Sequence, residues 1–271
     1  MDQRPVAVFD SGLGGLTAVR VLRRLMPNEN IIYFGDTGRM PYGGRPREQI
    51  REIARQNIDF VESFGVKAIL AACGTISSNA QDILAGNETA AVGVLTPGAG
   101  ELAATGKKRL GVIATKTSIE SGAFQREILA LSPEAELIAL PCPEFVPMIE
   151  SGHFEAHDPL VRRIVAETLA PMKAAGTEAL LLGCTHYGII ADAIRDYLGE
   201  DVILVGAADA SARALKKYID ANGLSSDSGG EEHYYTSGST EDFLQLAPIM
   251  LGYPLRGNVN YIAPFPLEDK A

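Results

Sequence analysis

The stretch Lys67-Ala68-Ile69-Leu70-Ala71-Ala72-Cys73-Gly74-Thr75-Ile76-Ser77-Ser78-Asn79 joins an apolar run to a polar turn at a thiol. The run from Ala68 to Ala72 has the length of a strand buried on both faces, and the change of composition at Cys73 marks its end. The same pattern recurs as Glu178-Ala179-Leu180-Leu181-Leu182-Gly183-Cys184-Thr185-His186-Tyr187. Apolar strands of this kind belong to parallel sheets covered by helices on both faces, and ligands of such sheets sit beyond the carboxyl ends of the strands. Both cysteines therefore stand where a ligand would be met. One free cysteine at a strand end usually packs as a small hydrophobe. Two of them, each followed within two residues by threonine, read as a pair.

Working outward, Pro5 to Phe9 predicts a first strand, and Asp10-Ser11-Gly12-Leu13-Gly14-Gly15 the turn that opens a helix through Leu16, Val19, Leu22 and Leu25. Thr17 stands where G-x-G-x-x-G needs its last glycine, so a dinucleotide fingerprint is not met. A general carboxylate or phosphate cradle at the helix start is what remains. Ile31 to Phe34 predicts a second strand, followed by a turn-rich loop through Pro41, Tyr42 and Gly43. A helix from about Pro46 to Phe64 leads to the Cys73 strand, and Ala91 to Leu95 predicts another strand. Thr96-Pro97-Gly98 interrupts the pattern and predicts a crossing between domains.

A second set repeats the plan: strands at Arg109 to Ala114, Ala135 to Leu140, before Cys184, and at Val202 to Val205, with helices between. The expected architecture is α/β, two similar parallel-sheet domains in a pseudo-twofold arrangement with the active site in the cleft between them. Residues 1–96 with 208–262 form the first domain and 97–207 the second. Gly223 to Gly230 reads as a mobile loop, Tyr234 to Thr236 as an edge strand, and 263–271 as a flexible tail.

The chain has 271 residues, a formal net charge of −10, 46% hydrophobic and 21% charged residues. The acidic balance argues against nucleic acid or anionic membrane as a partner, because both require basic patches. MDQRPVAVFD lacks the zones of a signal peptide and no apolar run is long enough to span a bilayer, so the expectation is a cytoplasmic protein with reduced thiols. No C-x-x-C occurs, and His153 and His157 lie beside a proline in a polar stretch, so no metal is expected. Cys142, between prolines, reads as packing.

The chemistry left open at this point is a single-thiol hydrolase or transferase, with Cys184 as nucleophile and His186 or Asp10 as base, or a two-thiol site. The second alternative employs both strand-end cysteines. Two similar domains closing face to face would bring one thiol to each side of a bound carbon, as removing a proton from one face and adding one to the other requires.

The ordered segments FDSGLGGL at 9–16, YFGDTGRMPYGGR at 33–45, ACGT at 72–75, GVIATKTSIESGAF at 111–124, CPEFVPMIESG at 142–152 and GCTHY at 183–187 resemble those of the glutamate racemases, cofactor-independent enzymes of bacterial D-glutamate supply to peptidoglycan. The resemblance implies Cys73 and Cys184 as thiolate base and thiol acid, with roles reversed for the other enantiomer. It implies Asp10 as the carboxylate assisting the first cysteine, and Glu150 with His186 as the pair assisting the second. Ser11, Pro41, Tyr42, Gly43, Thr75 and Thr185, with Asp10 and His186, are implied to hold the amino acid, and Thr117 and Ser118 to border the pocket. It further implies glutamate as substrate, no cofactor, and a homodimer. Two positions depart from the pattern. Gly74 stands where the family usually has Asn, and Gly188 where it usually has Pro. The first removes an amide at the substrate-binding position 74, which leaves a racemase of another acidic amino acid such as aspartate, or a diverged amino-acid-binding protein, as alternatives.

Overall fold

The computed structural model describes residues 1–267. The chain begins with β1 (Val6–Asp10), α1 (Leu16–Leu25), β2 (Ile31–Gly35), α2 (Arg47–Glu62), β3 (Ala68–Ala71), α3 (Gly74–Asn79), α4 (Gln81–Ala85) and β4 (Ala91–Gly93). It continues through α5 (Leu95–Ala104), β5 (Arg109–Ala114), α6 (Lys116–Glu120), α7 (Ala123–Leu131), β6 (Glu136–Pro141), α8 (Phe145–Glu150), α9 (Pro159–Ala174), β7 (Ala179–Leu182), α10 (Ala191–Leu198) and β8 (Ile203–Gly206). It closes with α11 (Ala207–Ala221), β9 (Glu232–Thr236), α12 (Thr240–Leu251) and β10 (Val259–Tyr261).

Two sheets result, ordered β10-β9-β2-β1-β3-β4 and β6-β5-β7-β8, and every pairing in them is parallel. Strands that carry apolar residues on both faces have no face to offer to water, so helices must cover both sides. In β1 the period-two alternation sends Val6 and Val8 to one apolar cluster and Ala7 and Phe9 to another. In β7 Leu180 and Leu182 join the cluster that runs through both halves, while Ala179 and Leu181 face a third cluster with Val112 and Phe124. Each large side chain buried in this way stabilises the fold by about 1.5–3 kcal/mol.

The segments β2-β1-β3-β4 and β6-β5-β7-β8 have the same order, with β1 corresponding to β5 and β3 to β7. Cys73 follows β3 and Cys184 follows β7, so the thiols occupy equivalent places at the carboxyl ends of equivalent strands. The two strands before them are fully buried.

Several local expectations change. Thr96-Pro97-Gly98 does lie on the connection from the first sheet to the second, but it does not interrupt the helical pattern; it lies in the first turn of α5, where proline is tolerated because its missing N–H would have had no intrahelical partner. The strand containing Tyr234 to Thr236 is not at the edge, since β10 pairs with its outer side. The stretch 223–230 is tied down: Lys67 Nζ donates to Leu224 O at 2.8 Å, and Ser226 N–H to Glu29 Oε1 at 2.8 Å. The start of the expected flexible tail is packed. Phe265 sits against Phe34 and Phe60, and Gln56 Nε2 donates to Pro266 O at 2.9 Å. Residues 268–271 of that expectation lie outside the described residues.

Candidate active site

A cavity of about 350 Å³ opens between the carboxyl ends of the two sheets. From the first half it is lined by Asp10, Ser11, Met40, Pro41, Tyr42, Gly43, Cys73, Gly74 and Thr75. The second half contributes Thr115, Lys116, Cys142, Pro143, Val146, Pro147, Glu150, Cys184, Thr185 and His186. The residues singled out from sequence thus converge here, with two exceptions. Neither Thr117 nor Ser118 lines the cavity: Thr117 Oγ1 accepts the Gly44 N–H at 2.7 Å and links the rim loop to the second half, while Ser118 is buried behind Thr115, its Oγ 2.9 Å from the Thr115 hydroxyl.

Asp10 ends β1 and is buried. Its Oδ1 accepts the Ser11 N–H at 2.8 Å and its Oδ2 the Gly15 N–H at 2.6 Å. The cradle expected at this glycine-rich turn is therefore filled at least partly by the chain's own carboxylate. Burial raises the Asp10 pKa above the ordinary carboxylate range, opposed by the charge of His186, the Gly15 and Ser11 amides and a hydrogen bond with Cys73. Burial likewise pushes the Cys73 thiol up to about 12, and the Asp10 charge adds to it, while the Ile76 N–H and the Ser11 hydroxyl act in the other direction. In the resting protein Cys73 is a neutral thiol at physiological pH.

The second thiol has different company. Cys184 Sγ lies 3.8 Å from His186 Nδ1, and His186 Nε2 lies 3.0 Å from Glu150 Oε1. The carboxylate comes from the end of α8, whose start is held by Phe145 stacked edge-on against Tyr187 and by the Tyr187 hydroxyl donating to Cys142 O at 3.0 Å. For His186, burial is the largest influence and lowers the pKa; the hydrogen bonds to Cys184 and Glu150 and the charges of Cys184 and Asp10 together outweigh it and hold the ring up at about 10. An imidazolium beside a sulfur, backed by a carboxylate, is an acid–base relay. The ring enters from the second half over the turn after β1, and a β-carbon on Gly14 would sit 2.3 Å from His186 Nδ1. Glycine at that position makes room for the histidine, a role that the glycine pattern alone does not reveal.

Tyr42 meets the cavity differently from what its phenol suggests. Its hydroxyl donates to Asp36 Oδ2 and accepts from Asn57 Nδ2 at 3.1 Å. Asp36 also accepts from Arg39 Nε at 2.6 Å and Ser237 Oγ at 2.6 Å, and Arg39 Nη2 donates to Asn57 Oδ1 at 2.9 Å. This buried, fully paired network anchors the loop Met40 to Gly43 from behind. The backbone of the loop, rather than the phenol, is then what it offers a ligand.

Three features escaped sequence reasoning. Thr115 is the first residue after β5, the counterpart of β1, and its hydroxyl is 3.1 Å from that of Thr75 in the other half and 2.9 Å from Ser118 Oγ. Applying the strand-end rule to β5 would have found it. Cys142 does pack, at 1% exposure, yet it also borders the cavity. Lys116 lines the cavity from the second half; it lies within the segment 111–124, but the resemblance implies no role for it. His153 and His157 are exposed on the surface away from the lining, and among the described residues no cluster of His, Cys, Asp and Glu has the makings of a metal site. No described helix is long and apolar enough to cross a membrane.

Residues 17–233 match the sequence pattern of the Asp/Glu/hydantoin racemases. The glutamate racemase of Picosynechococcus is 39% identical over 253 residues, covering 93% of this chain and 90% of that protein. The crystal structure of the Francisella tularensis glutamate racemase in complex with D-glutamate superposes with a TM-score of 0.90 at 34% identity, covering 97% of this chain and 99% of the other. A glutamate racemase isoform of Bacillus anthracis gives a TM-score of 0.91 at 29% identity, with 97% and 99% covered.

Proposed function

Because the chain belongs to the Asp/Glu/hydantoin racemase family, and so is an amino-acid racemase, we propose that it interconverts L- and D-glutamate by a two-thiol proton transfer without a cofactor. The observation that carries this reading is the placement of Cys73 and Cys184 on opposite halves of one cavity, each with its own titratable partner. Glutamate is favoured over other acidic amino acids by the names of the relatives, one of which holds D-glutamate.

In the proposed reaction one sulfur, as thiolate, takes the α-proton while the opposite thiol gives its proton to the other face of the same carbon. One C–H bond breaks and one forms; the first sulfur ends protonated and the second as thiolate. The protein resets by passing a proton back through solvent and the partners. Beside Cys184, His186 holds or accepts that proton and Glu150 fixes the ring; beside Cys73, Asp10 has this task. The α-proton of an amino acid is very weakly acidic, so charge building up on the α-carboxylate must be met by fixed donors. Ser11, Thr75 and Thr185 stand at the strand ends to supply them, and the loop Pro41 to Gly43 offers main-chain donors to the distal carboxylate. Burial between the halves excludes water and strengthens each of these contacts. The product D-glutamate would serve peptidoglycan synthesis in the cytoplasm.

The direct test is incubation of purified protein with L-glutamate in deuterated buffer. Loss of optical rotation with uptake of α-deuterium supports the proposal, and absence of exchange with both glutamate and aspartate rules it out. Binding of glutamate without exchange would instead identify an amino-acid-binding protein.

A further inference from the structure

Gly74 is the first residue after the catalytic-site thiol Cys73 and begins α3. Its surroundings are not open. A β-carbon built there would lie 2.5 Å from the carbonyl oxygen of Gly183, the residue that precedes Cys184, and 3.9 Å from the Cys184 Cα. The atom in the way is main chain at the end of β7, which does not swing aside as a flexible side chain would. The backbone of one thiol turn thus rests directly on that of the other, and beside this contact the Thr75 and Thr115 hydroxyls bridge the halves at 3.1 Å. By contrast, Gly188, in the turn that follows Cys184, has nothing within 4 Å of a built β-carbon.

We infer that Gly74 is a positioning residue that sets the separation of the two thiols by allowing the Gly183 carbonyl to occupy the place of a side chain at position 74. The inference deepens the proposed two-thiol reaction and rests on it. A proton transfer between sulfur and carbon depends on near-contact distances, and a displacement of about 1 Å can lower the rate about 10²-fold. A side chain at position 74 would act as a wedge between the halves. The amide that the resemblance leads one to expect at this position is therefore not a missing contact that the substrate would regain by restoring it; with this backbone it has no room. Recognition at the α-carbon end falls to Ser11, Thr75 and Thr185.

The test is a size series, Gly74→Ala and Gly74→Asn, with Gly188→Ala as the control that adds the same methyl group into open space. The readouts are kcat and KM for glutamate racemisation and, independently of activity, the rate at which iodoacetamide alkylates Cys73 and Cys184, followed by peptide mass spectrometry. These thiols are 4% and 8% exposed, so access limits their reaction. The expected result is that Gly74→Ala lowers kcat by at least about tenfold, with KM changed far less, and speeds alkylation of both thiols. Gly74→Asn goes further in both respects, and Gly188→Ala matches the unmodified protein. Unchanged alkylation and kcat in Gly74→Ala, or a Gly74→Asn variant as active as the unmodified protein, overturns the inference. Should Gly74→Ala fail to fold, Thr115→Val carries the test: it adds no bulk, removes the cross-half hydroxyl pair, and is expected to speed alkylation, with no change overturning the inference. If the unmodified protein exchanges no α-proton, the proposed reaction fails, while the alkylation rates still decide whether the contact governs access to the thiols.

Discussion

The turn at Cys73 and the turn at Cys184 have the same topology and opposite electrostatics. Each ends an apolar central strand of a parallel sheet, and each delivers a thiol to the same cavity. After Cys73 the chain enters the helix Gly74–Asn79, whose Ile76 N–H points at the sulfur, and the nearby titratable group is a carboxylate, Asp10. After Cys184 it forms a 3-10 turn from Thr185 to Ile190, which brings His186 back over the sulfur with Glu150 behind it. Burial, and after it the Asp10 charge, disfavours the thiolate at Cys73, whereas a ring held protonated sits beside Cys184. Equivalent places in two similar sheets thus hold two thiols with unlike neighbours, a carboxylate beside one and an imidazole beside the other. A symmetric scaffold does not need a symmetric charge distribution to act on both faces of a carbon.

The comparison is broken most severely by removing either sulfur. Cys73→Ala and Cys184→Ala are each expected to lower the racemisation rate by about 10²–10⁴-fold or more, measured by polarimetry. Full activity in either would mean that one thiol suffices. The next largest effect is expected from the partners: Asp10→Asn and His186→Asn should each lower kcat by about 10²-fold, and Glu150→Gln, acting through the ring, by about tenfold. Since L- and D-glutamate are equal in free energy, kcat/KM must fall equally in both directions. The asymmetry between the turns should appear instead in the α-deuterium isotope effects, with His186→Asn and Asp10→Asn raising the effect for opposite enantiomers. The same enantiomer responding to both variants would contradict the division into sides.

The pH dependence of stability gives a weaker but separate signal. His186 has a raised pKa in the fold, about 10 against an ordinary 6.5, so the folded state binds more protons than the unfolded state between these values. Its contribution is fully present below pH 6.5 and is lost as the pH rises toward 10. Cys73, raised from 9.0 to about 12, continues the same downward slope above pH 9. The thermal midpoint should therefore fall from neutral to alkaline pH, and His186→Asn should flatten the fall between pH 7 and 10. An equal slope in that variant would show that the ring is not held protonated. The smallest effect is expected behind the Tyr42 loop, where Asn57→Ala, by loosening the phenol clamp, should raise KM several-fold with kcat little changed.

How much was legible in the sequence follows the same division. Strand-end thiols announce themselves because an apolar run and the residue after it are contiguous, and the two sheets follow from such runs alternating with amphipathic helices. Asp10 and Ser11 could be read as strand-end residues for the same reason. The pairing of Glu150 with His186 spans 36 residues and came only from resemblance, as no local pattern encodes it. The role of Gly14 was hidden because its neighbour, the His186 ring, belongs to the other half of the chain. Helix α5 was obscured by Thr96-Pro97-Gly98, residues that read as a break but sit in a first turn that tolerates them. Strand β10 was missed because it is three residues long and largely exposed, leaving no periodic signal. The Asp36, Arg39 and Asn57 network has no signature in composition either, since its members are polar residues that become buried only when loop, helix and β9 meet.

The central claim, that two thiols serve opposite faces of one carbon, is tested most directly by the isotope content of both enantiomers during the initial rate with L-glutamate in deuterated buffer. Two monoprotic thiols predict D-glutamate that carries deuterium at Cα from the first turnovers, while the remaining L-glutamate keeps its protium. Protium retained in the D-glutamate, or deuterium entering both enantiomers at the same rate, would contradict it.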